Sequence, residues 1–217
     1  IDNTEKQKYA KQIFRAYDIR GIAYEQLSEE LIYEIGRVLG SMVQEHNQNQ
    51  IITGRDARLS SPDLSKSLKQ GILDSGCNIC DIGIAPTPLL YFATNYLESN
   101  SGVMLTGSHN PKNHNGLKTL INGTTLSQDG VQEIYKRIIN KDYLSAPENN
   151  HGSITQADVS DAYIKRITDA HPLSKKLKVI IDAGNGATSE IAPRLFGAMN
   201  CELTSLHCKL DGNFPNH

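Results

Sequence analysis

A chain of 217 residues with a formal net charge of −2, 38% hydrophobic and 21% charged residues has the make-up of a soluble globular protein, and its length suits one large domain or two modest ones. Acids and bases are interspersed rather than blocked, which argues against nucleic acid and against an anionic membrane surface as partners. The opening "IDNTEKQKYAKQIF" is too polar for a secretory signal and no later apolar run has the length to span a bilayer, so a cytoplasmic setting is expected.

Helix and strand signals then alternate. Ser28 is placed to cap a helix whose Leu31, Ile35, Val38, Leu39, Met42 and Val43 recur at helical spacing, and "QIITGRD" follows as a short strand. Ser61 at the cap, with Pro62 at the first helical position, starts a second helix; Leu64, Leu68 and Ile72 give it an apolar stripe and Gly76 ends it. The next strand, "CNICDIG", holds Cys77 and Cys80 at a spacing that redox and zinc motifs also use. In a strand, however, residues three apart face opposite sides of the sheet, and Cys201 and Cys208 do not complete a zinc-ribbon spacing. The four cysteines therefore read as reduced, mostly buried thiols.

Thr87-Pro88 opens a helix through "LLYFATNYL", "GVMLTG" is a strand, and "GLKTLINGTTL" reads as a hairpin turning at Asn122-Gly123. Val131, Ile134, Tyr135, Ile138 and Ile139 mark the helix that closes this half. Strands alternating with helices of this length predict an α/β fold, with mixed, mostly parallel sheets covered by helices. Pro, Gly and Asn in "DYLSAPENNHGSIT" break the periodicity, so the expected division is a first domain over 1–148 and a second unit over 149–217. That unit reads as a helix at "DAYIKRITDAH", a strand at "KVIIDAG", a helix near "SEIAPRLF" and a strand at "CELTSLHC". Two buried-type strands alone leave a long sheet edge open, so the second unit is expected to be incomplete and the chain to be part of something longer, in keeping with a first residue of Ile.

One stretch, "VMLTGSHNP" over 103–111, passes from apolar to polar in a single step. It reads either as an ordinary turn or as a reactive serine on a rigid mount. In an extended segment His109 points away from Ser108, which disfavours a protease-like pair, and no glycine stands two residues after the serine as a nucleophile elbow requires. Pro111 stiffens the exit of the loop. A phosphorylated Ser108 would need cations close by. Arg20, Arg55, Arg58, His109, Lys112 and Lys118 are the candidates, the arginines standing at or just after predicted strand ends, where open α/β sheets place ligands. On spacing alone the same residues also read as unconnected surface charges.

Taken in order, "FRAYDIRG", "GRDARLSSP", "APTPLLYFA", "GVMLTGSHNPKNHNGLK", "DAGNGA" and "DGNFPNH" resemble the successive signatures of the α-D-phosphohexomutases, in particular the bacterial phosphomannomutase/phosphoglucomutase branch. The resemblance implies the first domain and part of the second of a four-domain enzyme. Such an enzyme interconverts hexose 1-phosphate and hexose 6-phosphate, of mannose or glucose, through a phosphoserine and a 1,6-bisphosphate intermediate that also serves as activator. Carried over by residue, it makes Ser108 the phosphoserine, with its phosphate also giving one oxygen to Mg²⁺, and it makes Tyr17 and Arg20 substrate contacts. Arg20, His109 and Lys118 steer charge and protons, Lys118 as general acid/base with His109 able to share that work. The preferred sugar and the oligomeric state stay open.

The family's metal loop, an Asp-Gly-Asp-Gly-Asp-Arg segment, is expected beyond His217, so the resemblance implies that these 217 residues alone have no mutase turnover. Two further readings differ in class. "DAGNGATSE" carries two thirds of a dinucleotide fingerprint, with Ser189 where the third glycine belongs, and a dinucleotide module would be marked by a melting temperature that responds to NAD. A non-catalytic fragment that binds sugar phosphates would show only binding, by titration with glucose 6-phosphate.

Overall fold

The structure is a computed structural model and describes residues 9–147 and 151–216; the division expected between 148 and 149 lies outside the described residues. In chain order the elements are β1 (Ile19–Ile22), α1 (Glu29–Glu45), β2 (Gln50–Arg55), α2 (Ser61–Asp74), β3 (Asn78–Ile84), α3 (Thr87–Tyr96), β4 (Gly102–Leu105), β5 (His114–Ile121), β6 (Thr124–Thr125), α4 (Gln128–Asn140), β7 (Ile154–Gln156), α5 (Ser160–Ala170), β8 (Lys178–Asp182), α6 (Ile191–Ala198) and β9 (Glu202–Leu206).

Local chemistry sets most of these boundaries. The Ser28 hydroxyl accepts from the Leu31 N–H at 3.1 Å, and Glu29 and Glu30 place negative charge on the first turn of α1. The cap of α2 lies one residue earlier than expected, at Ser60, and no side chain satisfies it. The hydroxyl of Ser61 is taken up instead by Asp56 Oδ1, at 2.6 Å. Gly76, at φ +90°, follows α2 in a conformation that favours glycine. Asn122 and Gly123, both at positive φ, form the expected two-residue turn between β5 and β6.

The main sheet has the order β1-β5-β4-β2-β3-β7, with β6 also paired to β5. β2, β3, β4 and β7 pair in parallel, while β5 is antiparallel to β1, β4 and β6. Among the described strands of this sheet β5 alone therefore runs against the rest. On one face, α1, α2 and α4 bury Leu31, Ile35, Leu68 and Ile134 against Ile51, Val103 and Leu117. On the other, α3 lays Leu89, Leu90 and Ala93 over Ile52, Cys80 and Met104. The α1–α2 crossing is close enough that a Cβ on Gly71 would lie 2.1 Å from the Tyr33 carbonyl oxygen, and one on Gly36 2.3 Å from that of Leu68. Helices meeting backbone to backbone in this way leave room for nothing larger than glycine.

β7 was not foreseen: it lies past the expected division, yet it pairs with β3 and so extends the first sheet. All three of its residues are exposed, so the pairing rests on main-chain bonds and carries no apolar alternation to read. β8 and β9 form a separate parallel pair joined through α6. Its side chains are largely exposed, Ile180 at 71%. The second unit touches the first through α5, where Tyr163 packs edge-on to Phe92 of α3 with ring centres 5.4 Å apart. Among the described residues no helix is long and apolar enough to cross a membrane.

Cys77 and Cys80 fall on opposite faces of the sheet as expected, Cys77 in the core under α1 and α2, Cys80 in the core under α3. Burial pushes the Cys77 thiol up to about 12. A raised thiol pKa leaves the reactive thiolate scarce until the pH approaches that value. At pH 8, iodoacetamide is expected to modify the half-buried Cys201 and Cys208 within minutes and to reach Cys77 only after denaturant is added, as followed by intact mass. Modification of Cys77 in the folded protein at the same rate as Cys208 would contradict its placement.

Candidate active site

Three residues past the end of β4, Ser108 sits at φ +53°, the left-handed region that a non-glycine residue enters at a cost of about 1–2 kcal/mol. The loop is therefore not extended at the serine, as its sequence had predicted; it turns there, with the Asn110 N–H donating to the Gly107 carbonyl at 3.0 Å. Such a conformation persists only where the surroundings fix it. The Ser108 N–H donates to Thr106 Oγ1 at 3.0 Å, and its carbonyl accepts from Arg58 Nη2 at 2.9 Å.

Arg58 is the centre of this arrangement. It is 3% exposed, and Nη2 donates to the carbonyls of Ser108 and Asn110, Nη1 to those of Pro111 and His114 at 2.6 and 3.0 Å, and Nε to Asp56 Oδ2 at 3.0 Å. All five donors of the guanidinium are thus committed. Asp56 in turn accepts from the Ser61 and Thr106 hydroxyls and from the Gly107 and Arg58 N–H groups. The approach is so close that a Cβ on Gly107 would lie 2.5 Å from Arg58 Cζ. The sequence offered Arg58 as a cation for a phosphate; its charge is instead spent inside the loop, on carbonyls and one carboxylate. Spacing alone gives no sign of that, because nothing in "GRDAR" says which way the guanidinium turns.

A cleft of about 1030 Å³ opens over the loop. Ser108, exposed His109 and exposed Lys112 line it, together with Pro86 and Thr87 at the start of α3, the turn after β8 between Asp182 and Thr188, and Phe214. His109 and Lys112 thus line the same cleft as the serine.

The other expected residues approach this cleft less directly. Arg20 lies inside β1 rather than at a strand end, opposite Gly116 of β5, and its Nη1 donates to Asn110 Oδ1 at 3.0 Å while Nη2 pairs with Asp18. Lys118 stands opposite Met104, whose side chain lines the cleft. Residues directly opposite in an antiparallel pair share a face, and strand alternation places Gly116 with Lys118, so Arg20 and Lys118 lie on the face over which the cleft opens. Neither lines it. Tyr17 is 74% exposed before β1 and does not line it either, and Arg55 ends β2 with its guanidinium on the Asp56 carbonyl at 3.3 Å.

The donor set does not fit a magnesium site. Among the described residues no group of three or more His, Cys, Asp or Glu side chains is arranged to hold a metal, and the Asp56 carboxylate beside the loop is already saturated with donors. The glycine turn of "DAGNGA" faces the cleft, with Gly184 at φ +52°, but α6 begins only at Ile191. A dinucleotide phosphate needs the helix to start on the glycines themselves.

Two residues of the site escaped sequence reasoning, Asp56 and Phe214. Asp56 carries a weak signal, an acid two residues before a basic one at a strand end; Phe214 carries none, since its contact with Arg58 spans 156 residues of chain.

Comparison with known proteins adds an independent line. Residues 11–145 match the family model described as phosphoglucomutase/phosphomannomutase, alpha/beta/alpha domain I, and residues 161–217 match the corresponding domain II. A phosphomannomutase/phosphoglucomutase of Pseudomonas syringae pv. tomato is 49% identical over 205 residues, covering 94% of this chain and 43% of the relative. A phosphoglucomutase of Neisseria meningitidis is 42% identical over 208 residues, covering 96% and 45%. The crystal structure of a phosphoglucomutase/phosphomannomutase family protein from Burkholderia thailandensis superposes with a TM-score of 0.90 at 38% identity, covering 96% of this chain and 46% of that one. The chain thus spans less than half the length of the relatives it matches.

Proposed function

Because the chain belongs to the phosphoglucomutase/phosphomannomutase family, we propose that Ser108 relays a phosphoryl group between the 1- and 6-positions of a hexose phosphate, of glucose or mannose, by way of a hexose 1,6-bisphosphate. The observation that carries this role is the serine itself, held at positive φ on a clamped loop at the wall of a large cleft.

In the transfer step a sugar hydroxyl oxygen bonds to the phosphorus of phosphoserine as the bond from phosphorus to the serine oxygen breaks. The hydroxyl proton passes to a base and the serine oxygen takes up a proton. Such a reaction asks for in-line positioning and charge neutralisation more than for covalent activation. The loop supports the first, since Arg58 and Thr106 fix the backbone on both sides of the serine. His109 and Lys112 support the second. Lys118 is the proposed acid/base, on the sheet face beneath the cleft, and Arg20 the proposed contact that joins the substrate side of the sheet to the loop through Asn110. Tyr17, exposed ahead of β1, is the proposed contact for the sugar phosphate. Magnesium is the expected cofactor of the activity, and a phosphate on Ser108 is what these residues would offer it.

Incubation of the full-length protein with glucose 1,6-bisphosphate and Mg²⁺ is expected to add the mass of one phosphate, and tryptic mapping to place it on Ser108. Phosphate found solely on another residue would overturn the assignment.

A further inference from the structure

We propose that Phe214, a residue of the second unit, is a positioning residue for the serine loop, acting as the aromatic lid of the Arg58 clamp. The inference rests on the proposed role of Ser108 for its catalytic meaning, though not for its geometry. The Arg58 guanidinium carbon lies 5.4 Å from the Phe214 ring centre, so the ring covers a cation whose in-plane donors are all engaged by the loop and Asp56. A guanidinium saturated in its plane offers its faces to little except a ring, and an aromatic ring there also keeps water from competing for the four carbonyls.

The segment that carries Phe214 is built to hold it there. Phe214 itself sits at φ +50°, a conformation that a bulky side chain adopts only under constraint. Its N–H donates to the Asp211 carbonyl at 3.0 Å, and the Asp211 N–H to the Asn185 carbonyl at 3.0 Å. The Asn185 side chain donates to the Lys209 carbonyl and accepts from Asn216 Nδ2, both at 2.8 Å. Asn185 belongs to the glycine turn after β8, so this turn and the serine loop are joined through one strap. At its start, a Cβ on Gly212 would lie 2.2 Å from the Ala57 carbonyl oxygen, which shows how tightly the strap is pressed against the segment that bears Arg58.

Hydrogen exchange of the loop amides tests this without reference to activity. In Phe214→Ala and Phe214→Leu the amides of Gly107, Ser108, Asn110 and His114 are expected to exchange about tenfold faster, with those of α1 unchanged. Phe214→Tyr, which keeps the ring face, should exchange at the wild-type rate. In the full-length protein with Mg²⁺, acceptance of phosphate by Ser108 from glucose 1,6-bisphosphate should slow in the leucine variant and recover in the tyrosine variant. Leucine protecting the loop as well as phenylalanine, or loop and α1 loosening together, would overturn the proposal by making Phe214 ordinary packing. Should the alanine variant fail to fold, the leucine–tyrosine pair decides alone. A full-length wild-type protein that takes no phosphate would refute the function proposed for Ser108, and the exchange rates would still decide the role of Phe214.

Discussion

Replacement of Arg58 by methionine is expected to destabilise the protein by about 3–5 kcal/mol and to lower its Tm by about 10 °C. Methionine fills much of the same space without the fork of donors. Asp56 then keeps a buried negative charge with its cation removed, and the carbonyls of Ser108, Asn110, Pro111 and His114 lose their common partner. Each buried acceptor left unmet adds to the cost, and water entering to satisfy them would undo the loop geometry. Lysine is not a remedy, because a single ammonium cannot reach four carbonyls and a carboxylate from one point. Thermal unfolding followed by circular dichroism checks the magnitude; a Tm within about 2 °C of wild type would show that the clamp contributes little.

The second large effect belongs to Ser108→Ala. In the full-length protein this change is expected to lower phosphoryl transfer between glucose 1-phosphate and glucose 6-phosphate by about four orders of magnitude or more, the range seen when an enzyme loses the atom that carries its covalent intermediate. Stability should barely move. Among the described residues the serine hydroxyl has no hydrogen bond to lose, and the two contacts that fix residue 108, to Thr106 and Arg58, are made by its backbone. Alanine pays a similar penalty at positive φ. A coupled assay with glucose 6-phosphate dehydrogenase, run beside a thermal melt, separates the two quantities. Turnover within tenfold of wild type in a protein with an unchanged melt would remove Ser108 from the chemistry.

How far the sequence led depends on what kind of interaction set each feature. The Ser28 cap, the Asn122-Gly123 turn and the opposed Cys77 and Cys80 are decided within a few residues, by a hydroxyl, by two left-handed backbones and by strand alternation, and all three are where the letters placed them. The cap of α2 slipped by one residue where groups outside the helix hold the Ser61 hydroxyl on both sides, Asp56 accepting its proton and Asn115 donating to its oxygen. β7 went unseen because it is held by main-chain pairing with β3, and exposed Ile154, Thr155 and Gln156 show no apolar rhythm. At the site, the serine loop stood out for its abrupt change of polarity, but the division of labour among the cations did not. Arg58 and Lys112 look alike as charges in a sequence. One is buried with every donor committed and the other is exposed at the cleft wall, a difference that appears only when β2 and β4 are brought side by side.

A peptide unit is rigid and its two ends point opposite ways. Where Arg58 draws the oxygens of residues 108 and 111 inward, the amide hydrogens of His109 and Lys112 must turn outward, toward the open side of the loop. An arginine that never reaches the surface therefore still makes that surface electropositive, by aligning small fixed dipoles that cost nothing to reorient when an anion arrives.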